Sequence, residues 1–225
     1  MAKVNPTDKE LLQQEKIEAT VSKTEQFLNE NKKTLIYSVC AALVVALCIL
    51  AYTQWILKPQ KAEAMAQMYP AEMAFARGEY ELALNGDGNT LGFNEIISEY
   101  GSKAGKAVYL YAGVCELQAG NFQAAIDQLK KYSGKDEILA ARALACIGDA
   151  YVGLEDYKTA VSYFEKAAAA ADNMFAGSYL LKAGVTYEEL GQNDKALACY
   201  KTIKDKYPQG VEGAEIDKYI SRISK

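Results

Sequence analysis

Three stretches decide the fold: "YLYAGVCELQAGNFQAAIDQLKKY" (residues 109–132), "LACIGDAYVGLEDYKTAVSYFEKA" (144–167) and "LLKAGVTYEELGQNDKALACYKTI" (180–203). Laid over one another, they put Gly113, Gly148 and Gly184 in one column, at spacings of 35 and 36 residues. Ala125, Ala160 and Ala196 form a second column, and Leu129, Phe164 and Tyr200 a third. Phe122 and Tyr157 also align; Asn193 stands in their place in the third copy. Self-similarity at such a period is the signature of a repeat array. Each copy reads as two helices joined by a turn, "QAGNF", "GLEDY" or "LGQND". The glycine lets the first helix press on the second, because no side chain separates the backbones. The alanine does the same from the other helix, and the large residues are expected to fill gaps between copies.

This set resembles the tetratricopeptide repeat, whose period is 34 residues. The resemblance covers roughly residues 105–208, where Pro208 closes the last copy. The departures are Glu116 where the family favours an aromatic, Glu155 where it favours glycine, and Asn193. The fold class implied is all-α: a helical solenoid. Upstream, Gly78, Tyr80 and Ala83 echo the turn and the small residue of a degraded fourth copy within residues 58–104. There "NGDGNT" interrupts, and "LGFNEIISEY" supplies another helix. Pro59 and Pro70 are expected to break or kink the chain before it. Downstream, residues 209–225 offer Ile216, Tyr219, Ile220 and Ile223 as a capping helix, since a solenoid needs its last apolar face covered.

The glycine-rich stretch 85–92 invites a ligand, and the residues argue against one. A calcium loop starting at Asp87 needs an acid at its twelfth position and finds Ser98. A phosphate loop needs Gly-Lys-Ser/Thr, and Gly92 is followed by Phe93. The expectation is a connection: Asn85 or Gly86 ends one helix, and Asn89 or Thr90 caps the next. The 225 residues contain no histidine, which removes the usual general base, nucleophile partner and metal ligand together. A net charge of −4 implies no basic face for nucleic acid. No catalytic, metal or cofactor residues are therefore assigned, and neither a small-molecule substrate nor a nucleic acid is expected as a partner.

From Thr34 to Leu57 no residue is charged. As a helix these residues span about 36 Å, enough for a bilayer core of about 30 Å. Tyr37 at one end and Tyr52 and Trp55 at the other suit the two interfaces. Lys23, Lys32 and Lys33 precede the run, and Lys58 and Lys61 follow it, so the lysine bias favours a cytoplasmic N-terminus. Cys115, Cys146 and Cys199 pull the other way, because three thiols cannot all pair and free thiols suit a reducing compartment. Ser38, Ala42 and Ala46 form a small-residue stripe along which another membrane helix could approach. Before the anchor, residues 1–33 read as a polar helical segment, with Thr7 and Glu10 as a capping box and Leu11, Ile17, Val21 and Leu28 as a thin apolar stripe.

Tetratricopeptide arrays bind peptides on the face made by the first helix of each pair. The resemblance implies that this face carries Leu110, Tyr111, Val114 and Leu117, then Arg142, Cys146 and Asp149, then Leu181, Lys182, Val185 and Glu188. The layout, one anchor before a C-terminal repeat domain, also resembles the YfgM-like ancillary subunits of the Sec translocon. That resemblance implies a bacterial inner-membrane protein with a periplasmic repeat domain. Its partners would be translocon subunits and chaperones or emerging client segments. The alternative is a receptor whose repeats face the cytosol, as in N-anchored import receptors.

Overall fold

The computed structural model describes residues 27, 28, 30–170 and 175–224. Helices and turns account for them, with no strand among the described residues. They fall into two units divided between Lys58 and Pro59. The capping box at Thr7 and the apolar positions Leu11, Ile17 and Val21 lie outside the described residues; Leu28 is exposed.

The first unit holds α1 (Lys32–Tyr52) and a π-helical turn (Thr53–Leu57). No residue of α1 is buried, although nearly all are apolar. Ser38 turns its hydroxyl onto the backbone, donating to the Leu35 carbonyl at 2.9 Å. The helix is long and apolar enough to cross a membrane.

The second unit begins with α2 (Lys58–Ala76) and α3 (Tyr80–Asn85), followed by α4 (Phe93–Tyr100). Three helix pairs come next: α5 (Ala107–Gln118) with α6 (Phe122–Leu129), α7 (Glu137–Gly153) with α8 (Tyr157–Ala170), and α9 (Ala176–Glu189) with α10 (Asn193–Lys206). The chain closes with α11 (Val211–Ile223). The break expected at the prolines does not occur within α2. Pro70 sits in its interior, and Pro59 follows the π-helical turn Thr53–Leu57 without ending the helical run. The inward face of α2, with Ala64, Met68, Ala71 and Ala74 buried, holds the helix through the lost hydrogen bond.

One turn recurs four times. Gly78, Gly120, Glu155 and Gly191 have φ of 78°, 79°, 59° and 68°. In each turn the next residue donates its N–H to a carbonyl five residues back: Glu79 to Ala74, Asn121 to Glu116, Asp156 to Tyr151 and Gln192 to Tyr187, at 2.9–3.0 Å. This left-handed helix ending satisfies carbonyls that the helix leaves unpaired. Its presence at Gly78 gives the α2–α3 connection the same ending as the turns of the three pairs, and at Glu155 it forces a non-glycine residue into a strained region.

The glycine column works differently from its first reading. A Cβ on Gly113 would stand 2.5 Å from Leu129 Cγ, one on Gly148 2.6 Å from Phe164 Cε1, and one on Gly184 2.3 Å from Tyr200 Cε1. The large residue of the third column thus fills the space over the glycine of its own copy, instead of a gap between copies. The alanine column is fully buried, at 0% exposure in all three copies, which lets that large side chain lie across.

Packing runs along the chain in three successive clusters. The first joins α2, α3, α4 and α5 through Met68, Phe93, Ile96 and Cys115. The second joins α5, α6 and α7, and the third joins α7 to α11. Such neighbour-to-neighbour cores are what a repeat array builds. At the far end α11 covers the last face: Ile216 is 1% exposed, and Tyr219, Ile220 and Ile223 pack against the third cluster. Arg222 fastens it, donating to both Glu188 oxygens at 2.6 and 3.1 Å.

The insert 85–92 is a connection with one corrected cap. Gly86 ends α3 with φ 71°, as expected, but the N-cap of α4 is Gly92 and neither Asn89 nor Thr90. The reason is Asp87. Its Oδ1 accepts from the Asn89 and Thr90 N–H groups at 2.9 and 2.8 Å and from the Thr90 hydroxyl at 3.0 Å. Asn89 and Thr90 are therefore tied inside the loop, and Glu95 reaches back to accept from Gly92 N at 3.2 Å.

Candidate functional site

Helices α5, α7 and α9 are the first members of the three pairs, and they carry the expected binding residues. The structure separates these residues into three groups. Leu110, Val114 and Cys146 are buried at 4%, 6% and 8% exposure in the cluster that joins α5, α6 and α7. Leu117 and Leu181 are half-buried against the second and third clusters. Tyr111 stacks on Phe93 at 5.4 Å and meets the Phe75 ring edge-on at 5.0 Å. These side chains hold the repeats together.

A second group is paired within the chain. Lys182 on α9 donates to both Asp149 oxygens on α7, at 2.7 and 2.6 Å, and lies 5.8 Å from the centre of the Phe164 ring. Asp149 and Lys182 thus tie two neighbouring first helices. Glu188 accepts from Arg222 and from the buried Tyr200 hydroxyl, so it belongs to the end cap.

The third group remains open. Val185 is 37% exposed. Arg142 is exposed, and none of the ion pairs among the described residues involves it. Its charge is nonetheless felt by its neighbours. Burial pushes the Cys146 thiol up to about 11, with Asp149 adding to the rise and Arg142 and Lys182 opposing it. Burial likewise raises the Tyr179 hydroxyl against Arg142. Arg142 therefore lies within electrostatic reach of the buried Cys146, one turn along α7, and of the buried Tyr179 on α9.

Two residues of this face went unread in the sequence. Ile138 and Leu139 are 46% and 37% exposed in the first turn of α7, four and three residues before Arg142. That spacing puts them on the side of the helix that carries Arg142. Helical periodicity was the available signal. Asp136 fixes the start of this helix by accepting from Leu139 N at 2.9 Å. The open part of α7 is thus an exposed guanidinium with Ile138 and Leu139 one turn before it, suited to a carboxylate and an apolar side chain presented together.

Ser38, Ala42 and Ala46 are exposed along α1, four residues apart and so on one side of it. Among the described residues, no three His, Cys, Asp or Glu side chains gather as a metal site would require. Cys115 and Cys199 are buried like Cys146, and burial raises their thiols to about 12 and about 11.

Comparison with known proteins agrees with this architecture. Residues 141–173 and 178–210 match the tetratricopeptide repeat. Two crystal structures of MamA are similar in fold, each at 18% identity. One has a TM-score of 0.52 and covers 68% of this chain and 92% of its own. The other has a TM-score of 0.56 and covers 72% and 84%. No curated protein sequence matches the chain. The chain carries tetratricopeptide repeats, and these support a role in protein–protein interaction.

Proposed function

We propose that this chain is a membrane-tethered scaffold that uses its repeats to hold another protein in the bacterial envelope, at the Sec translocon. The observation that carries the proposal is Arg142. It is an exposed cation on the first-helix face, outside every ion pair among the described residues, with exposed Ile138 and Leu139 one helical turn before it. One charge and two apolar side chains are thus left exposed together on one side of α7, and Val185 is exposed on α9. The segment that fits is extended or helical, carries a carboxylate, and places apolar residues beside it. Chaperone or emerging client segments are the partners proposed.

The helix α1 supports the tether, since its surface is apolar and none of it is buried among the described residues. A tether confines the repeats to a thin layer and raises their effective concentration toward membrane partners, so modest affinity suffices. The lysine bias supports an orientation with residues 58–225 outside the cytoplasm.

Two experiments test this reading. Co-purification from mild detergent after in-cell cross-linking should enrich a translocon or chaperone component over an unrelated single-pass protein. Arg142→Glu and Val185→Asp should weaken that enrichment. Protease added after the outer envelope alone is opened should cut residues 58–225. Protection of those residues would favour the cytosol-facing receptor instead.

A further inference from the structure

Beyond α2, six large apolar side chains stand exposed among the described residues: Ile138, Leu139, Leu154, Phe175, Val185 and Val211. Four of them share one place in the helix pattern. Ile138 and Leu139 are in the first turn of α7, Phe175 is the N-cap of α9, and Val211 opens α11. Val211 is 83% exposed, more than any of the others.

These helix starts lie side by side. Ala141 of α7 and Tyr179 of α9 belong to one buried cluster, and Arg142, next to Ala141, acts electrostatically on Tyr179. Phe175 is one turn before Tyr179, whose N–H donates to the Phe175 carbonyl at 3.3 Å. Phe175 and Val211 in turn line one cavity of about 550 Å³, together with Tyr207 and Pro208 of the α10–α11 connection. An apolar row thus runs from Ile138 and Leu139, past Arg142, to a cavity between α9 and α11. Pockets of roughly 300–1,000 Å³ receive small molecules, so this one is ample for a large side chain.

The charges along the row are mixed. On α7, Asp136 is held by the Leu139 N–H, while Lys135, Glu137 and Arg142 are exposed and in no ion pair among the described residues. At the cavity, Lys206 is likewise exposed and outside those ion pairs. Glu212 Oε2 lies 3.5 and 3.4 Å from where a Cβ on Gly177 and on Gly210 would stand, so its carboxylate turns onto that backbone. Glu215 and Lys218 follow Val211 at one and two turns, both exposed. A bilayer surface would have to take Glu137 and Glu215 into its interface, which is costly. A protein segment can answer each charge with its opposite. A free small molecule would fill the cavity and leave Ile138 and Leu139 bare, whereas a segment covers the whole row.

We infer that the cavity between the starts of α9 and α11 receives a large apolar side chain of the same partner segment whose carboxylate meets Arg142. The inference rests on the function proposed above and deepens it, since it makes that segment amphipathic and fixes its spacing. The cavity begins one turn from Tyr179, and Tyr179 neighbours Arg142. The carboxylate and the large side chain are therefore within about two helical turns of each other, or about seven residues. Lys206 offers a second cation for an acid beside the apolar side chain.

The test uses the full chain in its membrane. The photo-reactive residue benzoylphenylalanine replaces Ile138, Phe175 or Val211 in turn, with Leu154, exposed at the far end of α7, as the control position. All four side chains are on the surface, so helical circular dichroism should not change. One partner protein is expected from positions 138, 175 and 211, at least about fivefold above position 154, the loss that a single important contact residue gives. Mass spectrometry of the adducts at 175 and 211 should find a large apolar residue at the cross-link and an Asp or Glu within about seven residues of it. Arg142→Glu should lower all three adducts together, and Lys206→Glu should lower those at 175 and 211 more than that at 138. An adduct at 138 with none at 175 and 211 would overturn the cavity as part of the surface and leave the role of Arg142 standing. Adducts at 175 and 211 that survive Arg142→Glu, or that join lipid or a second copy of this chain, would overturn it as well. No adduct at any of the three positions would overturn capture at Arg142 and the cavity together.

Discussion

The ring of Tyr200 occupies the space over Gly184 that a side chain there would need: a Cβ on Gly184 would stand 2.3 Å from Tyr200 Cε1. Tyr200 is fully buried and its hydroxyl donates to Glu188, so the ring has nowhere to move. Gly184→Ala is expected to destabilise the protein by about 1–3 kcal/mol, as overpacking does. Gly177→Ala is the matched control. It lies in the same helix, and its nearest neighbours, Glu212 Oε2 and Tyr207 Cβ, would be 3.5 and 3.6 Å away. It should stabilise by about 0.5–1 kcal/mol, because a helical glycine loses more backbone freedom on folding than alanine does. Thermal unfolding of the two variants checks both signs.

Glu155 holds a backbone conformation that three glycines hold in the equivalent turns. A left-handed L-residue costs roughly 1–2 kcal/mol. Glycine removes that strain but brings greater freedom to the unfolded chain, so Glu155→Gly should raise stability by about 0.5–1 kcal/mol. Gly120→Ala and Gly191→Ala should lower it. Denaturant midpoints compared across the three variants read the result; a loss in Glu155→Gly would show that the side chain contributes more than its backbone costs.

Burial keeps the thiols of Cys115, Cys146 and Cys199 protonated far above the ordinary value of 9.0, to about 12, 11 and 11. The unfolded chain ionises these thiols first as pH rises. Their contribution is therefore fully present below pH 9 and is lost between pH 9 and about 11 for Cys146 and Cys199, and by about 12 for Cys115. Stability should fall across that window, and Cys146→Ala with Cys199→Ala should flatten the fall. At pH 7.5 a bulky thiol reagent should label all three slowly on the native protein.

Asp87 is committed to its own loop through three hydrogen bonds, led by those from Thr90 and Asn89, which hold its carboxyl below the ordinary range. Calcium is accordingly expected to leave the melting temperature unchanged. Asp87→Ala should speed amide exchange at Asn89 and Thr90 while the helices keep their protection. A rise in melting temperature with sub-millimolar calcium would show that the loop gives up those bonds for a metal.

Lys182 and Arg142 should respond differently to change. Lys182 is bonded to Asp149, so Lys182→Ala is expected to loosen the contact of α7 with α9. The cost is under about 1 kcal/mol, because the pair is partly exposed. Arg142→Ala should leave the melting temperature within error and lower partner capture. Parallel melting and cross-linking measurements separate the two roles.

Much of the fold could be read in the residues themselves. The glycine, alanine and large-residue columns mark three helix pairs, and Gly78 with Ala83 marks the fourth turn. The reason is local: a left-handed turn and a tight helix crossing each demand particular residues at fixed offsets, and the demand repeats. Ile216, Tyr219, Ile220 and Ile223 betray the end cap for the same reason, as one apolar face at helical spacing. The open surface could not be read this way. Leu110, Val114 and Cys146 lie on the expected side of their helices, yet neighbouring repeats close over them. Lys182 and Glu188 look free in the sequence, yet Asp149, 33 residues away, and Arg222, 34 residues away, take them. Periodicity determines which side of a helix a residue occupies. Whether that side meets solvent, a neighbouring helix or an opposite charge is settled only when distant segments pack, and that packing leaves Arg142, Ile138, Leu139 and Val185 exposed.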